Sequence, residues 1–320
     1  METRRAHGPG RGGMAMAEQT VAIKAPAKIN LFLEVLGERA DGYHDIRSLL
    51  VPLALHDVLE LALTDGEIET TIEGTVRVDP AEDLAARAAR LLKRATGFAG
   101  GLRIRLRKTI PVGGGLGGGS SDAAAVLRAA NRLWRTGLST AELLALGAQL
   151  GADVPGLVQG GAVCVEGRGE RVRPAPVQPS TTSRAWWIVL VNPGFVVSTK
   201  DIYSRYKPHL TSDPEAFKIA LYAWESGSLD LAAKSLFNAL QETVFTKYPL
   251  IELIAGELAG AGAQGVLLSG TGATLFALAA DRAHALQVQR QVRERMSYPL
   301  WTRVTSVSRR PSGEEACAAG

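Results

Sequence analysis

The stretch "PVGGGLGGGSSDAAA", residues 111–125, decides how the chain is read. Six glycines fill seven positions, 113–119, and two serines, an aspartate and a run of alanines follow. Ordering a glycine costs more backbone entropy than ordering any other residue, so this density needs a reason. Just before it, "GLRIRLRKTI" (101–110) alternates Leu102, Ile104 and Leu106 with Arg103, Arg105 and Arg107. That is the period-two pattern of a strand with one dry face and a solvated basic face. Just after it, Ala124, Leu127, Ala130, Leu133 and Trp134 recur at three- and four-residue spacing up to Gly137. This predicts a helix starting near Ser121.

A strand, a glycine-rich turn and a helix start make a phosphate site on physical grounds. Glycines let backbone N–H groups turn inward against a ligand, and the helix start adds partial positive charge. Ser120 and Ser121 add hydroxyls for hydrogen bonding or a metal contact. A flexible glycine linker is the alternative, and the patterned elements on both sides argue against it. Of the familiar phosphate loops, Walker A needs a Gly-Lys-Ser/Thr ending that is absent here. The dinucleotide pattern is met formally by Gly113, Gly115 and Gly118, but the acidic residue expected about 20 residues on is replaced by "RLWRTGLS". The protein-kinase loop lacks its His-Arg-Asp and Asp-Phe-Gly companions.

The 320 residues, 46% hydrophobic and 21% charged, suit a globular chain of two domains. No apolar run reaches the roughly 18 residues of a membrane span. Two cysteines, Cys164 and Cys317, give no disulfide framework or zinc site and fit a reducing cytoplasm. A net charge of +4 permits a polyanionic ligand without demanding a nucleic acid. Residues 1–19, "METRRAHGPGRGGMAMAEQ", lack the apolar core of a secretory signal, and Met14 or Met16 are alternative starts.

Along the chain, 1–20 reads as a disordered extension, 21–178 as a first domain, 184–310 as a second and 311–320 as a tail. Strands and turns are expected from Val21, with "GERADGYH" as punctuation. A helix is expected over 83–97, a second behind the capping box Ser139–Glu142, and a hairpin around "GRG" in "GAVCVEGRGERVR". "RPAPVQPSTTS" (173–183) is the linker candidate. "AWWIVLVNPG" then opens the second domain as a buried strand, and a helix near 281–297 and a last strand "LWTRVTSVS" close it. Strands and helices alternate irregularly, which predicts an α+β architecture.

"PVGGGLGGGSSDAA" resembles the P-x-G-x-G-L-G-S-S motif of the GHMP kinases, a superfamily of small-molecule kinases. "APAKINLFLEVLGERADGYHDIRSLL" (25–50), "LGADVPGLVQGGAVCVEGRGE" (150–170) and "LSGTGATLFAL" (268–278) resemble other motifs of the superfamily in their expected order. The first two look like the branch that phosphorylates the 2-hydroxyl of 4-diphosphocytidyl-2-C-methyl-D-erythritol, the cytidine diphosphate derivative of methylerythritol, on the non-mevalonate isoprenoid route. The resemblance implies a two-domain α+β GHMP kinase fold, with an N-terminal half like domain 2 of ribosomal protein S5 and a ferredoxin-like C-terminal half.

It further implies ATP and Mg²⁺, with phosphates held by Pro111, Val112, Gly113, Gly114, Gly115, Leu116, Gly117, Gly118, Gly119, Ser120 and Ser121. Lys28 and Asp153 are carried over as the catalytic pair, Asp153 as base and Lys28 as its cationic partner. On the substrate side stand Tyr43 stacked on cytosine, His44 on the base edge, Asn30 on the erythritol or phosphate, then Thr199 and a second aromatic, Tyr203. Ser269, Gly270, Thr271 and Gly272 form a tight turn facing triphosphate or substrate. No motif-bound acid emerges as a metal ligand. The implied partners are small molecules, not nucleic acid or membrane, for a monomer or homodimer in the cytoplasm. Two other readings remain: a GHMP kinase acting on a different alcohol such as mevalonate or homoserine, and a nucleic-acid-binding protein, for which only one Arg-alternating strand speaks.

Overall fold

The structure, a computed structural model, describes residues 20–74, 83–178, 185–207 and 214–307. Most of the expected N-terminal extension, all of the tail, residues 179–183 of the linker candidate and Cys317 lie outside the described residues. No helix among the described residues is long and apolar enough to cross a membrane.

Two long strands, β1 (Thr20–Glu38) and β2 (His44–Thr64), form an antiparallel hairpin whose register runs from Thr20 against Ala62 to Glu38 against His44. Register shifts at Pro26/Lys28, Asn30/Phe32 and Val35/Gly37 bend the ribbon. From Ala25 to Gly37 β1 is buried or nearly so along its length except at Leu36, so Lys28 and Asn30 lie inside. β3 (Ile68–Glu73) and β4 (Gly101–Arg107) extend the sheet beyond β2. The alternation read from sequence holds: Leu102, Ile104 and Leu106 are buried, while Arg103, Arg105 and Arg107 face outward. Arg103 is balanced by Glu69 at 3.6 Å. β5 (Val163–Gly167) and β6 (Arg171–Pro174) make the hairpin expected around "GRG"; β6 takes the first residues of the linker candidate.

Helices cover one face of this sheet. α1 (Leu84–Thr96) is capped by Asp83 and stopped by left-handed Gly97. α2 (Gly118–Leu133) is central, and α3 (Thr140–Ala148) carries the Ser139–Glu142 capping box. α4 (Val154–Gln159) is a short turn behind Asp153. Alanines of α1 and α2 pack on Leu59, Leu61, Leu102 and Ile104, and the small side chains let the helices approach closely.

The second half contributes β7 (Trp186–Asn192), α5 (Thr199–Arg205), α6 (Pro214–Ser226), α7 (Leu229–Ser235) and the two-residue β8 (Phe237–Asn238). Then come α8 (Gln241–Lys247), α9 (Pro249–Gly260), β9 (Gly265–Leu268), β10 (Leu275–Ala279), α10 (Arg282–Arg295) and β11 (Trp301–Val307). The sheet path is β3-β4-β2-β11-β7-β10-β9. β11 reaches the first half through Val307 against Leu53, and the Thr305 hydroxyl accepts the Leu55 N–H at 3.0 Å. β8 pairs with β1 at Phe32 and Leu33. A core cluster built from Ile29, Phe32, Leu49, Trp186, Trp224 and Phe276 spans both halves.

One buried ionic cluster fixes both ends of the glycine stretch. Lys108 continues the dry phase of β4, and its Nζ lies 2.5 Å from Asp57 Oδ2 and 2.6 Å from Asp122 Oδ2, with all three side chains at most 3% exposed. The other Asp57 oxygen accepts the N–H groups of Thr109 and Ile110, which lead into the loop. Asp122 belongs to the first turns of the helix that leaves it. Asp122 Oδ1 has no hydrogen-bond partner among the described residues. Burial pushes the Asp122 carboxyl up to about 7 despite the opposing Lys108 charge. Burial alone would lower Lys108, but Asp122 and Asp57 together hold it above its ordinary value.

The Asp122 shift has a sign. Between its ordinary value of 3.8 and about 7 the folded chain keeps a proton that the unfolded chain has lost. Stability contributed at this site therefore falls as pH rises through that window. Asp122→Asn removes the titration while keeping the shape. Thermal unfolding midpoints at pH 5, 6, 7 and 8 should show the variant gaining on the parent up to about pH 7 and then levelling; parallel curves would remove Asp122 as the titrating group.

Candidate functional site

The glycine stretch crosses the junction of the two halves. Gly115 has φ +78°, and a Cβ on it would stand 2.1 Å from the Ser269 carbonyl oxygen. Gly117, at φ +66°, would strike the Lys28 side chain at 2.8 Å. Glycine is needed at both positions because conformation and space each exclude a side chain. α2 begins at Gly118, three residues before the expected start near Ser121. The weak helix propensity of Gly118 and Gly119 predicts loop, but close packing overrides it, since a Cβ at Gly118 would already touch Ile110 at 3.0 Å. The first-turn N–H groups of Gly118, Gly119 and Ser120 precede the first intrahelical bond, from Ser121 N–H to Gly117 O at 2.8 Å. Ser120 is half-buried at this end and Ser121 is buried. Pro111 and Val112 form the outer rim, Gly114 and Leu116 the buried inner side.

The turn between β9 and β10 meets this loop as a second layer. Ser269 donates its hydroxyl to Gly115 O at 2.9 Å, and Thr274 N–H donates to Gly114 O at 3.1 Å. Within the turn, Gly272 N–H donates to Ser269 O at 2.9 Å. Two asparagines brace it from below. Asn192 Nδ2 donates to Thr274 Oγ1 at 2.8 Å, and Asn238 Nδ2 donates to the Leu268 and Gly270 carbonyls at 2.8 and 2.7 Å.

Lys28 stands beneath both layers. Its N–H donates to Leu116 O at 2.9 Å, which ties β1 to the glycine loop. Its Nζ donates to Asn30 Oδ1 at 2.9 Å and lies 3.1 Å from Asp153 Oδ2. Asn30 in turn donates to Ser48 Oγ at 2.8 Å, and Ser48 donates to Phe32 O at 2.7 Å. Asp153 occupies the N-cap position of α4 but makes no side-chain capping bond, so its carboxylate is committed to Lys28 instead. The Lys28 side chain is 4% exposed and that of Asp153 37%. The ammonium is thus walled in, while the carboxylate opens to solvent. An anionic base that a solvent-borne hydroxyl can reach, held by a buried cation, is suited to accept a proton.

The aromatic candidates gather beside this pair. His44, at the start of β2, packs on Tyr203 of α5 with ring centroids 5.0 Å apart, and Tyr206 meets it edge-on at 6.4 Å. Burial raises the Tyr203 phenol, and the nearby Asp153 charge raises it further, so it stays a neutral hydrogen-bonding group. Thr199 and Thr271 hydroxyls lie 2.9 Å apart, which joins α5 to the β9–β10 turn. Tyr43 stands apart from the His44–Tyr203 pair: it is 55% exposed, and the Arg168 guanidinium covers its ring at 3.7 Å.

Several residues escape sequence reasoning. Asn192, Asn238, Ser48 and Thr274 reach the site through bonds to segments distant in sequence, although Asn192 and Asn238 also accept the nearby N–H groups of Gly194 and Leu240. Arg168 carried a visible sign, its place between the glycines of "GRG". Lys108 carried another, because it follows Leu102, Ile104 and Leu106 in the phase of the dry face. Among the described residues no group of three or more His, Cys, Asp or Glu side chains gathers to hold a metal.

The packing of the glycine loop has a direct test. Gly115→Ala should destabilise the chain by about 1–3 kcal/mol, the usual cost of overpacking. Gly119→Ala should be neutral or stabilise by up to about 1 kcal/mol, since its φ is ordinary for a helix and the nearest atom is a Leu84 methyl at 3.4 Å. Denaturant midpoints of the two variants check both, and equal midpoints would mean that the loop gives way at Gly115.

Comparison with known proteins matches two separate segments of the chain. Residues 83–168 match the family described as GHMP kinases N terminal domain, and residues 218–297 match GHMP kinases C terminal. A 4-diphosphocytidyl-2-C-methyl-D-erythritol kinase of Pelotomaculum thermopropionicum is 42% identical over 285 residues, covering 88% of this chain and 97% of that one. The protein of the same name from Bacillus cytotoxicus is 40% identical over 257 residues, 80% of this chain and 87% of its own. A crystal structure of 4-(cytidine 5'-diphospho)-2C-methyl-D-erythritol kinase superposes with a TM-score of 0.73 at 33% identity, covering 90% of this chain and 99% of the other. The two-layered loop, the Lys28–Asp153 pair and these relatives converge: the chain belongs to the GHMP kinase superfamily, within the family of the 4-diphosphocytidyl-2-C-methyl-D-erythritol kinases.

Proposed function

We propose that this chain is an ATP-dependent kinase that phosphorylates the 2-hydroxyl of 4-diphosphocytidyl-2-C-methyl-D-erythritol, in the bacterial cytoplasm, on the non-mevalonate route to isoprenoids. The observation that carries the reading is the Lys28–Asp153 pair at 3.1 Å, set beneath the glycine loop in a chain 42% identical to a kinase of that name.

The residues present fit a triphosphate. Gly115 and Gly117 let the loop close tightly on Ser269 and Lys28, and at the first turn of α2 the N–H groups of Gly118, Gly119 and Ser120 come before the first intrahelical bond, the arrangement that suits an anion. When bound, ATP with Mg²⁺ supplies the phosphoryl group and the charge that offsets its oxygens. For the metal we propose that the half-buried Ser120 contributes a hydroxyl, the remaining positions falling to phosphate and water, as suits a cation that dehydrates reluctantly.

In this reading Asp153 accepts the proton of the 2-hydroxyl as its oxygen bonds to the γ-phosphorus and the bond to the β–γ bridging oxygen breaks. Lys28 holds the Asp153 carboxylate in place, and its buried charge stabilises the oxygens of the transferring group. Asn30, held by Ser48, fixes the lysine from the side and keeps its Nδ2 end turned away from the cleft. That geometry favours Asn30 as an orienting residue over a direct contact with the erythritol. His44, Tyr203 and Thr199 line the substrate side, and Tyr43 offers a ring face to cytosine. The divisions at 21–178 and 184–310 then separate the half that carries Lys28, Asp153 and the loop from the half that carries Tyr203 and the β9–β10 turn. A monomer suffices for this site, since both halves of it come from one chain.

ADP release from Mg·ATP, compared across the cytidyl substrate, mevalonate and homoserine, tests the assignment. Turnover is expected with the cytidyl compound alone, and turnover with either other alcohol would overturn the substrate. Asp153→Asn should lower kcat by about 10²–10⁴-fold with ATP affinity retained. Tyr43→Ala should raise KM for the cytidyl substrate by about 5- to 100-fold, the worth of one stacked base.

A further inference from the structure

The turn that joins β5 to β6, Gly167-Arg168-Gly169, is built to stand in one place. Gly167 and Gly169 adopt φ of +72° and +119°, and Arg168 N–H donates to Glu170 Oε2 at 2.6 Å, which braces the turn from within. A Cβ on Gly169 would lie 2.1 Å from the Ala152 carbonyl oxygen, so this backbone is pressed against the residue that precedes Asp153. From there the Arg168 side chain reaches the β1–β2 turn. Its Cζ lies 3.7 Å from the centroid of the Tyr43 ring, and its Nη1 lies 3.6 Å from Asp41 Oδ2. The other Asp41 oxygen accepts the Tyr43 N–H at 3.1 Å and faces Arg39 Nε at 3.4 Å, and Arg39 continues to Asp45 at 2.9 Å. The Tyr43 N–H, together with Arg39 and Arg168, holds the Asp41 carboxyl below its ordinary value, so it remains an anion at the centre of this network.

A tyrosine ring has two faces, and here a planar guanidinium occupies one of them. We propose that Arg168 is a positioning residue for the nucleobase: it covers one face of Tyr43, presents the other to cytosine, and through its turn sets the distance between that ring and Asp153. The cation also draws on the ring quadrupole and holds the aromatic still, which an exposed tyrosine at a turn would not otherwise achieve. Arginine suits this task better than lysine because its flat fork can stack on the ring and reach Asp41 at once. The inference rests on the reading of Tyr43 as the residue that meets the base.

Steady-state kinetics of Arg168→Ala, Arg168→Lys, Tyr43→Ala and the double variant Arg168→Ala/Tyr43→Ala test it, with thermal midpoints as a check on folding. Arg168→Ala should raise KM for the cytidyl substrate by about two- to five-fold, in line with a cation–π contact at an exposed site. Its kcat and its KM for ATP should stay at the parent values, and Arg168→Lys should fall between parent and alanine. In the Tyr43→Ala background, removing Arg168 should change KM no further. If Tyr43→Ala raises KM and Arg168→Ala does not, the positioning role is wrong while the base site stands. If the two effects multiply independently, Arg168 acts on the substrate by another path and the proposal also fails. If Tyr43→Ala leaves KM unchanged, the reading of Tyr43 itself falls.

Discussion

Close contact between two backbones holds the site together. At Gly115 the chain passes so near the Ser269 carbonyl that a Cβ would stand 2.1 Å from it. Only this approach lets Ser269 and Thr274 hydrogen-bond to the loop, and only then does Lys28, tied to Leu116 by its N–H, come under both layers. The glycines therefore have two physical tasks. They remove the side chains that would force the halves apart, and in the proposed function they let backbone N–H groups face a phosphate.

Charge is buried twice in this region, with different consequences. Lys108 sits between two carboxylates with no route to solvent and fastens the ends of the loop to the sheet. Lys28 is equally buried, but its acidic partner Asp153 is 37% exposed. A closed ionic cluster suits structure, because removing any member would strand the others in a medium of low polarity. A half-open pair suits chemistry, because the same buried cation orients a carboxylate that remains open to solvent. Within one element, β1, the alternation of residues places Lys28 and Asn30 on the same side, and the bulges on either side of them turn that side toward the loop.

Much of this was legible in local patterns. The dry phase of β4, the helix ending at Gly97, the capping box at Ser139, the hairpin around "GRG" and the tight turn at 269–272 all follow from residue periodicity and turn chemistry. Propensity places the start of α2 near Ser121, because Gly118 and Gly119 disfavour helix when considered alone, whereas in the structure Gly118 is packed against Ile110 and the helix begins there. Lys108 was legible in principle: it falls in step with Leu102, Ile104 and Leu106, and a lysine on a dry face announces a buried acid. Tyr43 was read as an open stacking platform, and the covering Arg168 went unforeseen because nothing in either turn signals the other.

By itself, then, the sequence determined the patterned strands and helices around the glycine loop, the strand–glycine loop–helix unit and, through motif resemblance, the superfamily. These depend on residues close along the chain, where backbone geometry imposes periods of two and 3.6. The tertiary structure alone decided that Lys28 meets Asp153, that Gly115 abuts Ser269, and that Arg168 lies over Tyr43. Each of these joins segments far apart in sequence, and each depends on burial and distance in space, which set the strength of a charge or a stack and leave no periodic trace in the order of the residues.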